Sequence, residues 1–324
     1  MSITFTVFSD FHYEPGKNVP ELKHLEEIFE RAHETNSALV FHCGDFARNW
    51  PAYPELHELY LNNKYSLPVY GTYGNHDTQT IYDTFDFITP RLTNDKNAVW
   101  ATDDGKVQNG EITYYYADNK NYRFIFIDTN HSYFPKEGKI LHAPPGMGEA
   151  PPENVPRHVL GERQLKWLEN TLEDAADNGL HCITVSHAGF AGFKEGGWEF
   201  PTPSYDIEKV REMFNKANKK RPNTVIMSIN GHYHTDHAAT ADNILFFTVN
   251  SCVTGWWDCK NSKPYRYGAP LYSTVTISDD FEITIQGKQG CWLNGNAPEN
   301  EEYLKTQGVR TCISNNKFKL KGGN

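Results

Sequence analysis

The chain has 324 residues, with 31 Lys and Arg against 41 Asp and Glu, and a formal net charge of -10 at pH 7. This acidic balance speaks against a duplex nucleic acid or an anionic membrane as partner, since both need a basic surface that displaces counterions. Small anions stay open, because a metal cluster attracts them locally. A charged fraction of 22% beside 38% hydrophobic residues excludes intrinsic disorder, and the length suits one large α/β domain with insertions.

Six cysteines, at positions 43, 182, 252, 259, 291 and 312, are too sparse for a disulfide scaffold. Cys43 and Cys182 fall in predicted buried strands, and neither remaining pair has zinc-motif spacing, so reduced thiols in a cytoplasmic protein are expected. Met1 leads directly into a strand-like run, without the basic and apolar regions of a signal peptide. No apolar stretch approaches the roughly 18 residues of a membrane-spanning helix.

Taken in order, the first predicted strand begins at Ile3 and ends at Ser9-Asp10-Phe11-His12. A loop through Pro15 and Gly16 leads to a helix capped by Asn18, with Pro20 in its first turn. Leu22, Leu25, Ile28, Phe29 and Ala32 recur at helical spacing until Asn36. The apolar run from Leu39 then stops at Gly44-Asp45, which completes a β-α-β unit. A helix over Tyr53 to Asn63 precedes a strand over Leu67 to Tyr70 and the loop Tyr73-Gly74-Asn75-His76-Asp77. Residues 80 to 110 are weakly periodic, with one helical pattern over Ile81 to Ile88.

Strands at Thr113 to Ala117 and Arg123 to Asp128 are joined by the turn formers Asp118 to Asn121. The proline-rich stretch 131–161 reads as a long irregular insertion, a kind of segment that is usually functional or mobile. Leu165, Leu168, Leu172, Ala175 and Ala176 mark an amphipathic helix stopped by Asn178-Gly179. The strand Cys182 to Val185 delivers Ser186-His187, a helix runs near Tyr205 to Ala217, and the strand Val225 to Ile229 delivers Gly231-His232-Tyr233-His234. Three later strand-like runs, Ile244 to Val249, Leu271 to Ile277 and Phe281 to Ile285, suggest a second sheet packed on the first. One domain over 1–287 is expected, followed by a weakly structured extension over 288–324.

Five predicted strands therefore end in polar side chains: Asp10 with His12; Asp45; Asn75 with His76 and Asp77; His187; and His232 with His234. Ligands of open α/β sheets sit at such strand ends. A single Gly-Asp or a single histidine is usually structural, but five such elements at five strand ends are hard to obtain by chance. Using all of them takes two metal ions. Imidazole and carboxylate suit Mn, Fe or Zn, and one carboxylate can bridge ions about 3.5 to 4 Å apart. Asp45 is the natural bridge.

Asp10-Phe11-His12, Gly44-Asp45, Gly74-Asn75-His76-Asp77, His187 and Gly231-His232-Tyr233-His234 together resemble the signature of the calcineurin-like metallophosphoesterases. The resemblance implies a four-layer α-β-β-α sandwich of two mixed sheets flanked by helices. It implies a first ion on Asp10, His12, Asp45 and His234, and a second on Asp45, Asn75, His187 and His232. It makes His76 the acid that protonates the leaving oxygen and Asp77 the carboxylate that orients it. The implied reaction is hydrolysis of a small phosphodiester or phosphomonoester, nucleotide-like substrates included, by a hydroxide bridging the ions.

The purple acid phosphatase branch has a metal-binding tyrosine three residues after its Gly-Asp aspartate, where this chain has Arg48, and it lacks a histidine at the position of His12. The resemblance is closest to the cyclic-nucleotide phosphodiesterase-like branch, which shares Asp-x-His and a helix like Gly161 to Leu168. Arg48 is a candidate phosphate contact, with a surface salt bridge as the equal alternative. Phe190 and Trp198, in a glycine-rich loop after His187, are candidates to stack on a base or sugar as the loop closes. The plainer reading has them packing over the second sheet.

Trp256 and Trp257 invite the same two readings, His131 reads either as a substrate contact or as a satisfied structural histidine, and His24, His33, His42 and His57 read as structural. Two other function classes stay in view. One is a catalytically silent metal-bearing interaction module, although such proteins usually lack ligands or the leaving-group histidine that this chain retains. The other is a nuclease, disfavoured by the acidic balance.

Overall fold

The run Ile3–Phe8 forms β1, with Phe5 and Val7 on one side and Phe8 on the other, all fully buried. In a strand successive side chains face opposite ways, so β1 is covered on both faces. The computed structural model describes residues 2–14, 22–47, 54–77, 92–101, 113–134, 139–142, 157–191, 194–195, 198–199, 204–258 and 263–322. After β1 come α1 (Leu22–Glu34), β2 (Val40–His42), α2 (Pro54–Leu61), β3 (Val69–Gly71), β4 (Val99–Trp100), β5 (Tyr115–Asn119) and β6 (Tyr122–Ile127). The insertion carries β7 (His131–Phe134), β8 (Lys139–His142) and β9 (Arg157–Val159).

Next stand α3 (Gly161–Asp177), β10 (His181–Ser186), β11 (Lys194–Glu195), β12 (Trp198–Glu199), α4 (Ile207–Lys220) and β13 (Val225–Asn230). The remainder holds β14 (His237–Ala241), β15 (Ile244–Thr248), β16 (Thr254–Asp258), β17 (Lys263–Arg266), β18 (Ser273–Ile277), β19 (Glu282–Gly287), α5 (Glu301–Thr306) and β20 (Asn316–Lys319).

The first sheet has the order β20-β19-β18-β1-β2-β3, and the second β14-β15-β13-β10-β6-β5-β4. The strands that end in polar motifs run parallel to their neighbours: β1 with β2 and β3, and β10 with β6 and β13. Between the sheets lies an aromatic core, where the Phe124 ring is 5.4 Å from that of Phe5 and 6.1 Å from that of Phe41, and Tyr70 stacks on Phe126 at 5.3 Å. Phe8 turns the other way, edge-on to Tyr60 of α2. Behind the second sheet, Leu165, Leu168 and Leu172 of α3 and Val210 and Phe214 of α4 pack with Ile125 and Ile127. This is the four-layer α-β-β-α sandwich.

Helix ends follow the sequence signals. After α1, Asn36 takes φ +51° and Ser37 N–H bonds Ala32 O at 2.9 Å; after α3, Gly179 takes φ +72° and Leu180 N–H bonds Ala175 O at 2.9 Å. Both close the last turn in the left-handed cap that favours Gly and Asn.

Three expectations are revised. The late strands do not form a sheet of their own: β14 and β15 extend the second sheet beside β13, whereas β18 returns to pair antiparallel with β1. That pairing covers the edge that β1 would otherwise leave open. The insertion is not wholly irregular, since β8, β7 and β9 form a three-stranded sheet. Beyond Gly287, α5 buries Leu304 and β20 adds an edge strand to the first sheet. The helix start at Asn18 and the pattern over Ile81 to Ile88 lie outside the described residues. Among the described residues no helix is long and apolar enough to cross a membrane.

Candidate metal centre

Backbone bonds between loops set the stage. The loop after β1 lies along the loop after β2, with Asp10 N–H on Gly44 O at 3.1 Å and His12 N–H on Asp45 O at 2.9 Å. From the second sheet, Gly231 N–H reaches His187 O at 3.1 Å, and His232 N–H reaches Asp10 Oδ2 at 3.0 Å. Asp10, His12, Asp45, His232 and His234 all have left-handed backbone, with φ between +48° and +71°. Such conformations are uncommon for non-glycine residues and persist where the surroundings over-determine them. Gly231 admits no side chain, because a Cβ there would collide with Ser9 Oγ and stand 2.6 Å from Asp10 Oδ2.

The side chains converge in two groups that share one atom. Asp45 Oδ1 is taken by His76 N–H at 2.7 Å, while Oδ2 faces His187 Nε2 at 3.4 Å, His12 Nε2 at 3.8 Å and His76 Nε2 at 3.9 Å. On one side His234 Nε2 lies 3.1 Å from His12 Nε2 and 3.3 Å from Asp10 Oδ1. On the other, His187 Nε2 lies 3.0 Å from Asn75 Oδ1 and 3.1 Å from His232 Nδ1.

These donors suit cations. Asp10 Oδ1 is buried without a hydrogen bond, whereas Oδ2 is fixed by Ser9 Oγ and His232 N–H. Two pairs of ring nitrogens meet at 3.1 Å, and His187 Nδ1 gives its proton to Cys43 O at 2.8 Å, the orientation that turns Nε2 into a ligand.

Charge settles on His187 and the two carboxylates rather than on His12 or His232. Burial opposes a charge on His187, but Asp45 beside it prevails and lifts its pKa to about 9. Burial takes His12 down to about 3, and burial with the neighbouring His187 and His158 takes His232 well below its ordinary value. Asp10 is held at about 2 against the effect of burial, chiefly by His234. Asp45 is likewise held low against burial, by His187 and His76.

The structure brings Asp10, His12, Asp45, Asn75, His76, His187, His232 and His234 together, and corrects two other assignments. The Asp77 carboxylate accepts Ala47 N–H at 2.9 Å and Gly74 N–H at 2.8 Å, so it ties two loops together and is not the group that orients His76. Phe190 does not face a substrate: it is fully buried behind the second sheet with Phe214, where an apolar ring gains most. Trp198 falls in β12, with its side chain outside the described residues, as Arg48 is altogether. His42 is structural, stacked on Phe46 at 4.5 Å with Nδ1 accepting Gly44 N–H.

His158 was not singled out by sequence. It lies on β9 at φ +55°, its Nδ1–H donates to Thr129 O at 3.3 Å, and its ring stands edge-on to His232 at 4.7 Å. Its place in a proline-rich insertion, away from any motif, left no signal beyond its being a histidine.

A two-sheet sandwich with carboxylates and imidazoles converging at its strand ends defines the metallo-dependent phosphatase fold. A family model described as calcineurin-like phosphoesterase matches residues 3–236. The chain belongs to the calcineurin-like phosphoesterase family, and with it to the phosphoric ester hydrolases.

Similar solved structures include a dimetal phosphatase from Danio rerio, 15% identical over 90% of this chain and 98% of that chain, with a TM-score of 0.56. Another is GAP50, described as the anchor in the inner membrane complex of Plasmodium, 14% identical over 99% of this chain and 90% of that chain, with a TM-score of 0.54. At these identities the likeness is one of fold. No curated protein matches the chain.

Proposed function

We propose that this protein hydrolyses a small phosphomonoester or phosphodiester, nucleotide-like esters included, at a centre of two ions. Asp10, His12, Asp45 and His234 would hold one ion, and Asp45, Asn75, His187 and His232 the other. The observation that carries this reading is Asp45 Oδ2, which faces both donor groups at once. When bound, two such ions supply the positive charge that activates a water and neutralises the phosphoryl oxygens. Mn, Fe and Zn all suit this donor set.

The chain's own residues do the rest. Cys43 O holds the His187 ring with Nε2 inward. His76, 19% exposed at the rim with its ring 4.8 Å from that of His12, gives a proton to the leaving oxygen. The fold also serves a protein described as an anchor, so catalysis rests on side chains rather than on fold, and here each implied ligand and His76 is present.

The test is hydrolysis of cyclic nucleotides, nucleotides, glycerophosphodiesters and sugar phosphates by protein loaded with Mn, Fe or Zn. Turnover of at least one class, abolished by a chelator and restored by metal, is expected. Protein that carries two ions and turns over nothing would reject the reading.

Metal uptake should also release protons. The folded pKa of His187 exceeds its unfolded value of 6.5, so its contribution to metal-free stability is complete below that pH and is lost as pH rises through about 9. An ion at Nε2 displaces that proton, and calorimetric titration near pH 7.5 in two buffers of different ionisation enthalpy should show release of about one proton per chain. Zero release would remove His187 from the ligand set.

A further inference from the structure

We propose that residues 308–314, which lie beyond the span of the family match, brace the first-ion ligands, with Asp236 and Ser314 as positioning residues. The inference rests on the dimetal reading above. The loop that carries His232 and His234 runs on to Asp236, 3% exposed, before β14 begins. There the C-terminal segment takes hold of it. Asp236 N–H donates to Gly308 O at 2.8 Å, and Asp236 Oδ2 accepts Ser314 N–H at 3.0 Å and the Ser314 hydroxyl, with Arg310 Nη1 at 3.5 Å.

The same segment reaches the other loop of that ion. Asn250 Nδ2 donates to Arg310 O at 2.7 Å and to Cys312 O at 3.2 Å. The next residue, Ser251, donates its hydroxyl to Asp10 O at 2.9 Å, and Cys252 N–H donates to Ser9 O at 2.7 Å. Asp10 and His234 are thus each tied to residues 308–314 through a short relay.

The brace is itself fixed to the segment that follows β19, by Ile313 N–H on Lys288 O at 3.0 Å and by Gly290 N–H on Thr311 O at 2.8 Å, and by the fully buried Ile313 side chain. It supports backbone that needs support, since Asp10 and His234 both take left-handed φ. His187, a second-ion ligand, is oriented from elsewhere, by Cys43 O next to β2. The first ion takes both Asp10 and His234 from the braced loops and the second takes only His232, so loosening the brace should weaken the first ion more than the second.

The experiment uses the full chain and measures Mn²⁺ binding by equilibrium dialysis with elemental analysis. Ser314→Ala is placed in two backgrounds, Asn75→Ala, which disables the second ion, and His234→Ala, which disables the first. In the Asn75→Ala background, Ser314→Ala should weaken the remaining ion about tenfold, within the range typical of groups that support a ligand. Ser314→Thr, which keeps the hydroxyl, should restore it. In the His234→Ala background, where only His232 comes from the braced loop, Ser314→Ala should weaken the remaining ion less than about twofold.

Equal weakening in both backgrounds, or none in either, overturns the brace even where the thermal midpoint falls, because a merely structural residue would not choose between ions. A wild-type chain that holds none of Mn, Fe or Zn overturns the dimetal reading beneath it.

Discussion

Asp45→Asn should strip both ions together and abolish metal-dependent hydrolysis. Only one oxygen of Asp45 is available to the cluster, because Oδ1 is committed to His76 N–H at 2.7 Å. Oδ2 lies between His187 Nε2 at 3.4 Å and His12 Nε2 at 3.8 Å, one from each donor group. An asparagine that keeps the bond to His76 with its carbonyl must turn its NH₂ towards those nitrogens, so each ion loses a negative ligand and gains a donor it cannot use. The loss should exceed the roughly 10- to 100-fold that follows when a mere supporting group is removed.

Asn75→Ala is the contrast, since its Oδ1 meets His187 of the second group and one ion should remain. Elemental analysis after gel filtration decides the matter. Two tightly held ions in Asp45→Asn would show that the two groups do not share this carboxylate.

The centre was legible in the sequence because its ligands stand where apolar runs stop. Parallel strands with short polar ends bring Asp10, Asp45, His187 and His232 to one edge of the sandwich whatever the loops do in detail. What the loops do in detail was not legible. Asp77 looks like a partner for its neighbour His76, yet its oxygens are claimed by the amides of Ala47 and Gly74, a choice made by the fold of two loops rather than by adjacency. Phe190 sits among glycines that suggest an exposed flap, but the chain turns inward at Ala188 and Gly189 and buries the ring.

Strand periodicity reveals which face is apolar and says nothing of the partner, so the return of β18 to β1 could not be read. The C-terminal extension misleads for a related reason. Its apolar residues are few, but Leu304, Val309, Ile313 and Leu320 are each nearly or fully buried, and a segment laid on an existing sheet needs no core of its own.

His76→Gln should keep both ions and lose activity in proportion to how badly the leaving group needs a proton. The His76 backbone N–H, which holds Asp45 Oδ1, survives the substitution, so the metal ligands keep their geometry. What disappears is an imidazole at the rim that can transfer a proton. General acid catalysis of this kind is worth about 10²- to 10⁴-fold. An alkyl phosphoester, whose alkoxide cannot depart unprotonated, should bear that whole loss in kcat, whereas a nitrophenyl ester, which departs as a stable anion, should lose little.

The pair of substrates also separates the alternatives. His12, Asp45 and His76 offer ligand atoms within 4.8 Å of one another, so a variant depleted of metal would make His76 a ligand. Equal loss on both esters with metal retained would assign it to substrate binding. Full activity on the alkyl ester would leave it no part in proton transfer, and the acid would then have to be sought among the other imidazoles near the centre, of which His158, beside His232, is the first to change.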